Sequence, residues 1–172
     1  EWIARIAEAV QQPVIANGTV GIHNGIIVND AELWNQFRSL TRRSDVDTEV
    51  LVNILRKHFD EKNDIVWATQ QAYREIKGAA SIAFVFDRLD EILLATNTGS
   101  LHYVVNESGS FFAFASERFI LASLCERLDI ERVVGPVQIR QLPAFQAMLV
   151  SLRDLSRREF PCVPKSTTPT PP

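Results

Sequence analysis

The spacing of apolar positions changes period twice along the chain. From Val14 to Val28, β-branched and aliphatic residues come in short runs interrupted by Asn17-Gly18 and again by Asn24-Gly25. Asn and Gly both tolerate positive φ, so on local chemistry each pair reads as a hairpin turn between strands. Helical spacing follows. Leu33, Trp34, Phe37 and Leu40 fall on one face of a helix that Asn29 or Asp30 can cap. Thr41 to Asp45 is polar and loop-like. Asp47 then opens a second helix, with Val50, Leu51, Ile54, Leu55 and His58 on one stripe. A third runs from about Ile65 to Ile76, where Lys77-Gly78 ends it through a left-handed glycine cap. Upstream of all these, Ile3, Ile6, Ala7 and Val10 mark a short amphipathic segment that stops at Pro13.

From Ala80 the period drops toward two. Ser81–Phe86, Glu91–Thr96, Leu101–Val105 and Ser110–Ala115 read as four short strands. Asp87-Arg88, Asn97-Thr98-Gly99 and Glu107-Ser108-Gly109 separate them, and the pattern predicts one antiparallel meander. A helix follows from Glu117 to Leu128. Val133-Val134 and Ala147–Val150 add two last strands around Gly135-Pro136. After Ser151 the core signal fades into a charged stretch, Arg153 to Arg158, and a Pro/Thr/Ser-rich end. The expected division is a domain over residues 1–152 and a linker or tail over 153–172. Helices in a block, then strands, then a helix point to an α+β fold rather than to βαβ alternation.

Composition narrows the partners. A chain of 172 residues, 46% hydrophobic and 23% charged, suits one ordinary globular domain. A formal charge of -3 argues against a nucleic-acid or anionic-membrane surface, which needs clustered Lys and Arg. No apolar run is long enough to span a bilayer. Glu1 to Arg5 lacks the basic-then-apolar order of a signal peptide, and a first residue that is Glu points to a processed or truncated chain. Two cysteines make neither a disulfide framework nor a close-spaced zinc pattern. Cys125, in a helix-like apolar stretch, reads as a buried inert thiol. Cys162, beside Pro161, reads as exposed. Both suit a reducing, cytoplasmic setting.

Three segments taken together resemble the glutaminase domain of class II glutamine amidotransferases, the glucosamine-6-phosphate synthase-like branch in particular. The first is Val20-Gly21-Ile22-His23-Asn24-Gly25-Ile26-Ile27-Val28-Asn29. The second is Ser44-Asp45-Val46-Asp47-Thr48-Glu49-Val50, like the family's Asp-Thr-Glu helix start. The third runs from Lys77-Gly78-Ala79-Ala80 through Leu93-Leu94-Ala95-Thr96 to Phe114-Ala115-Ser116-Glu117. Gln12-Pro13 also sits where relatives carry a Gln-Pro or His-Pro pair. Each motif is weak alone, and their order over Gln12 to Val150 is what makes the signal specific. The resemblance implies the αββα sandwich of N-terminal-nucleophile hydrolases, here an incomplete four-layer sandwich of antiparallel sheets flanked by helices.

The resemblance also implies roles. The Asn24 side-chain amide and the Gly25 backbone N–H would form the oxyanion hole for hydrolysis of the glutamine side-chain amide. That chemistry needs preorganised neutral donors, which an Asn amide and a closely approachable Gly backbone supply. Asp47 would bind the α-ammonium of L-glutamine, at a helix start whose dipole favours a carboxylate. His23 is read as structural, because the family's general base is the nucleophile's own α-amine. Glu49 supports the helix start. His58 and His102 read as ordinary core or surface residues. No metal or cofactor is implied. The family's nucleophilic cysteine and the Arg loop for the glutamine carboxylate both precede the Asn-Gly pair, and neither is visible among the residues before Asn24. This chain alone is therefore expected to lack glutaminase turnover. The released ammonia would serve a sugar or carboxylate acceptor on an acceptor or synthase domain, on the same or another chain. The alternative is a non-catalytic ligand-binding or assembly module of the same fold. A third reading, a generic α+β interaction domain with coincidental motifs, sits poorly with ordered matches over most of the chain.

Overall fold

A computed structural model describes residues 12–163, so the amphipathic segment expected before Pro13 and the Pro/Thr-rich end lie outside the described residues. The chain builds four layers. Strands β1 (Val14–Ala16), β2 (Thr19–Ile27), β3 (Gly78–Phe86), β4 (Glu91–Thr96), β8 (Gln146–Ser151) and β9 (Arg157–Pro161) form a six-stranded antiparallel sheet in that spatial order. Strands β5 (His102–Asn106), β6 (Phe112–Ala115) and β7 (Val137–Gln141) form a second sheet in the order β6-β5-β7. Helices α1 (Asp30–Gln36), α2 (Asp47–Lys62) and α3 (Ile65–Glu75) belong to the face of the large sheet turned away from the small one. Helix α4 (Arg118–Arg127) and the single turn α5 (Ile130–Val134) pack on the small sheet. This is the expected α+β sandwich of antiparallel sheets flanked by helices.

Two cores hold the layers together, and strand alternation sorts residues between them. Ile82, Phe84, Leu93, Ala95, Ala147 and Leu149 point at the helices and meet Leu51, Ile54, Leu55 and Phe59 of α2. Ala83, Leu94, Met148 and Val150, one step out of phase, meet Tyr103, Val105 and Leu142 between the sheets. In β2 the buried helix-facing set is Thr19, Gly21, His23 and Ile27. Gly21 carries no side chain because the Phe84 ring fills that place; a Cβ there would lie 2.5 Å from Phe84 Cε1.

Several local expectations change on folding. Asn17-Gly18 is the hairpin turn, with φ of 49° and 71°. Asn24-Gly25 is not a turn. It lies inside β2, whose nine residues pair with β3 from Thr19↔Phe86 to Ile27↔Gly78. Gly78 does not cap α3; it starts β3, and its missing Cβ admits the Ile26 carbonyl. Asn29 occupies the cap position of α1 but spends its side chain elsewhere, accepting from the Lys77 N–H at 2.7 Å and donating to the Glu75 carbonyl at 2.9 Å. The expected meander is split, since β3 and β4 belong to one sheet and β5 and β6 to the other. Val133-Val134 ends a helical turn, and the strand comes after it. The region placed in a linker, residues 153–172, contains β9, which pairs with β8 from Val150↔Arg157 to Gln146↔Pro161. Only Phe160 of β9 is fully buried, so its charges mark a sheet edge rather than a tail.

The cysteines exchange roles. Cys125 is half-buried on α4, where burial and then the Glu131 carboxylate raise its thiol. Cys162 is buried in the helix-side core, and burial pushes its thiol up to about 12. At neutral pH a thiol raised so far carries almost no thiolate. A thiol-alkylating reagent on the native protein should therefore label Cys125 first and Cys162 only on unfolding, as read by peptide mass mapping. A second expectation concerns Gly25, whose φ is 149° and where a Cβ would lie 2.0 Å from the Ala79 carbonyl oxygen. Gly25→Ala should lower stability by about 1–3 kcal/mol in urea denaturation.

Candidate functional site

The site residues sit where β2 outruns β1. Strand β1 pairs with β2 only as far as Val14↔Gly21. Beyond that point, among the described residues, the outer edge of β2 has no strand beside it, and side chains serve it instead. The Gln12 amide takes the next place, donating through Nε2 to the His23 carbonyl and accepting the His23 N–H at 2.8 Å. Four residues on, the Ile27 N–H donates to Asp47 Oδ2 at 2.7 Å. Gly25 lies midway. Its partner across the ladder, Ala80, is turned the other way: the Ala80 N–H donates to Asn97 Oδ1 at 2.9 Å and its carbonyl accepts the Asn97 N–H at 3.1 Å. By the alternation of an antiparallel ladder, the Gly25 N–H faces the open edge, as those of His23 and Ile27 do.

Asp47 reaches this edge from the first residue of α2, with Val46 in the cap position. Its side chain is 27% exposed. Its carboxylate makes no cap bond to α2 and is aimed across at β2. Glu49, two residues on in the same first turn and buried, accepts from the Arg43 N–H at 3.0 Å, the Ser44 N–H at 2.7 Å and the Ser44 hydroxyl at 2.8 Å. It folds the 43–44 loop back over the start of α2, the support expected of it. Asp47 is bonded to Ile27, two residues from Gly25, or about 7 Å along a strand. That matches the roughly 6 Å between the α-nitrogen and amide oxygen of an extended glutamine.

Asn24 is out of phase with its neighbours and faces the space between the sheets. There it lines a cavity of about 160 Å³ with Gln12, Ile22, Ser81, Leu101 and Phe114. Asp47 is not part of that lining. The fold thus brings Gly25 and Asp47 to one edge and delivers Asn24 to the same end of β2 from the other face. Nearby, Ser81 and Thr96 share a hydrogen bond of 2.7 Å between their hydroxyls. Tyr73 donates its phenol to the Ala80 carbonyl at 3.3 Å, and burial raises the phenol well above its usual range.

His23 is buried, with Nδ1 3.2 Å from Thr48 Oγ1 and Nε2 3.3 Å from the Ala79 carbonyl. Asp47 Oδ1 is 3.8 Å from Nδ1. His58 lies at the contact of α2 and α3, bonded to Glu75 and edge-on to Phe37 and Trp67, and His102 approaches the Ser116 carbonyl at 3.4 Å. Neither lines the β2 edge. Sequence reasoning missed the roles of Gln12, Asn97 and Thr48; Gln12 had a signal in the Gln12-Pro13 pair and Thr48 in its place beside Asp47 in the Asp-Thr-Glu run, and Asn97 showed only as a turn residue. Among the described residues no cluster of three or more His, Cys, Asp or Glu could hold a metal ion, and no helix is long and apolar enough to cross a membrane.

Comparison with known proteins bears on the family and the fold. Glutamine–fructose-6-phosphate aminotransferase (isomerizing) of Xanthomonas campestris pv. campestris is 32% identical over 111 residues, covering 63% of this chain and 18% of that protein. The 7-cyano-7-deazaguanine synthase of Saccharolobus solfataricus is 28% identical over 157 residues, covering 90% of this chain and 31% of that protein. The chain therefore spans under a third of the length of these relatives. Among solved structures, the glutamine phosphoribosylpyrophosphate amidotransferase of B. subtilis superposes with a TM-score of 0.64 at 20% identity, over 90% of this chain and 32% of that one. A glutamine aminotransferase class-II domain protein of Silicibacter pomeroyi gives 0.52 at 15% identity, over 88% and 71%. At these identities the two structures speak for the fold. The sequence profile of the glutamine amidotransferase domain matches residues 3–123, and the chain belongs to that family.

Proposed function

We propose that this chain carries the oxyanion-binding and ammonium-binding parts of a glutaminase site, which releases ammonia from the side-chain amide of L-glutamine for a sugar or carboxylate acceptor held on an acceptor or synthase domain. The observation that carries this reading is the open edge of β2, where Gly25 and the Asp47 carboxylate stand about one glutamine length apart. In the proposed complex the substrate lies along that edge. Its α-ammonium meets Asp47, and its amide carbonyl lies toward Gly25 and Asn24. Attack on that carbonyl places negative charge on its oxygen. The Gly25 N–H and the Asn24 amide then donate to the developing oxyanion, which stabilises the transition state more than the bound amide.

The attacking thiolate comes from outside the described residues. Cys162 is sealed in the core with its thiol raised to about 12, and Cys125 stands on the helix that packs against the small sheet. A chain with no thiol at the site would bind glutamine without turning it over, and would act as a ligand-binding or assembly module. The assay is glutamine hydrolysis by the natural full-length protein, followed by ammonia release. Asn24→Ala should lower kcat by about 10²–10³-fold, the usual cost of one lost oxyanion donor. Asp47→Ala should act mainly by raising KM for glutamine, because it removes binding common to ground and transition states. Unchanged kinetics in both variants would reject the assignment.

A further inference from the structure

The His23 ring joins the two halves of the candidate site, and its surroundings dictate which nitrogen carries the proton. A backbone carbonyl only accepts, so the contact of Nε2 with the Ala79 oxygen at 3.3 Å requires Nε2–H. In the neutral ring Nδ1 is then an acceptor, and the Thr48 hydroxyl at 3.2 Å donates to it. The Nδ1 lone pair also faces Asp47 Oδ1 at 3.8 Å, acceptor to acceptor. Neutral His23 therefore gives Asp47 nothing. The carboxylate is fixed through Oδ2 by the Ile27 N–H, and Oδ1 is left for another cation.

Protonation reverses this. A hydrogen added at Nδ1 turns the lone pair into a charged donor within ion-pair distance of Oδ1, and it removes the acceptor that the Thr48 hydroxyl used. The ring side chain is only 1% exposed, so solvent does little to screen the new charge. The groups that face the ring are few. Asp47 and Thr48 come from α2, and the Ala79 carbonyl comes from β3. The Gln12 amide, uncharged, sits on the His23 backbone. Tyr73 of α3, at the neighbouring Ala80 carbonyl, stays a neutral donor. Glu49, the other acid in the first turn of α2, is occupied by the Arg43 and Ser44 amides. Among the described residues, Asp47 is thus the carboxylate the ring would pair with.

We propose that His23 is a positioning residue that gates the cation site: neutral, it leaves Asp47 to the α-ammonium of the ligand, and protonated, it takes Asp47 for itself. This rests on the reading of Asp47 as the ammonium-binding residue. The charge change of histidine as a residue type falls between about pH 5 and about pH 8, so that is the range in which the competition is sought. The ligand class that feels it is an amino acid with a free α-ammonium; an amide without that group is indifferent.

The test uses the natural full-length enzyme, with KM and kcat measured across that pH range for L-glutamine and for glutaramate, which lacks the α-amine. KM for glutamine should rise roughly tenfold as the pH falls through the range, whereas KM for glutaramate should move by less than about twofold. In His23→Gln, which keeps an N–H donor but does not titrate, the rise should vanish while a measurable turnover persists. A parallel ¹⁵N NMR titration should find Nε2–H at neutral pH, and a His23 midpoint that moves to lower pH in Asp47→Asn. A His23→Gln profile that keeps the wild-type rise, an Nδ1–H tautomer, or a midpoint indifferent to Asp47→Asn would each overturn the gate. Absence of turnover together with the expected tautomer and midpoint change would instead reject the glutaminase reading while upholding the charge coupling between His23 and Asp47.

Discussion

Among the described residues, the structure turns on a strand left half unpaired. β2 is bonded along its whole length to β3 on one side but to β1 over only three residues on the other. An exposed row of strand amides and carbonyls costs free energy when buried without partners, and it invites pairing when open. Here the row is distributed. Gln12 takes His23, Asp47 takes Ile27, and Gly25 between them is left facing outward. The Asp47 bond to Ile27 also ties the first turn of α2 to the sheet, so one carboxylate both satisfies the edge and stands ready beside it.

Everything behind that edge serves to keep it rigid. Asn97 engages both backbone groups of Ala80, which holds β3 turned away from Gly25. The glycines are placed for close approach: a Cβ at Gly25 would strike the Ala79 carbonyl, and one at Gly21 would strike the Phe84 ring. α2 is buried along most of its length, with Val50, Leu51, Val52, Ile54 and Leu55 all inaccessible to solvent. A helix so enclosed cannot tilt without opening the core, and the position of Asp47 is fixed by the same packing. A binding group on rigid elements with bonded neighbours is what preorganised electrostatics requires.

Much of this was legible in the residues. The stripe on α2, the strand pattern of β3 and β4, the helix from Glu117 and the final apolar strand are local signals that burial only reinforced. The failures share a cause. Asn24-Gly25 carries the chemistry of a hairpin turn, yet nine-residue pairing with β3 holds it in a strand, because tertiary pairing outweighs a local preference worth little by itself. β9 is hidden by its charges, which suit an edge strand as well as a tail. Cys162 looks exposed beside proline, but the β8–β9 pairing draws it inward. The split of four strands between two sheets has no sequence signal, since a turn of a few residues can join strands of one sheet or of two.

The sequence by itself settled the class of fold and the family resemblance and supplied candidates for the site, because periodicity and ordered motifs are properties of the chain. Tertiary structure alone decided how those residues meet: which face of β2 each one takes, that Asp47 bonds across to Ile27 instead of capping its own helix, and that His23 lies within ion-pair reach of that carboxylate. The reason is physical. Local propensities act over a few residues, whereas the direction of a backbone N–H at an open edge is set by which distant strand is, or is not, bonded beside it.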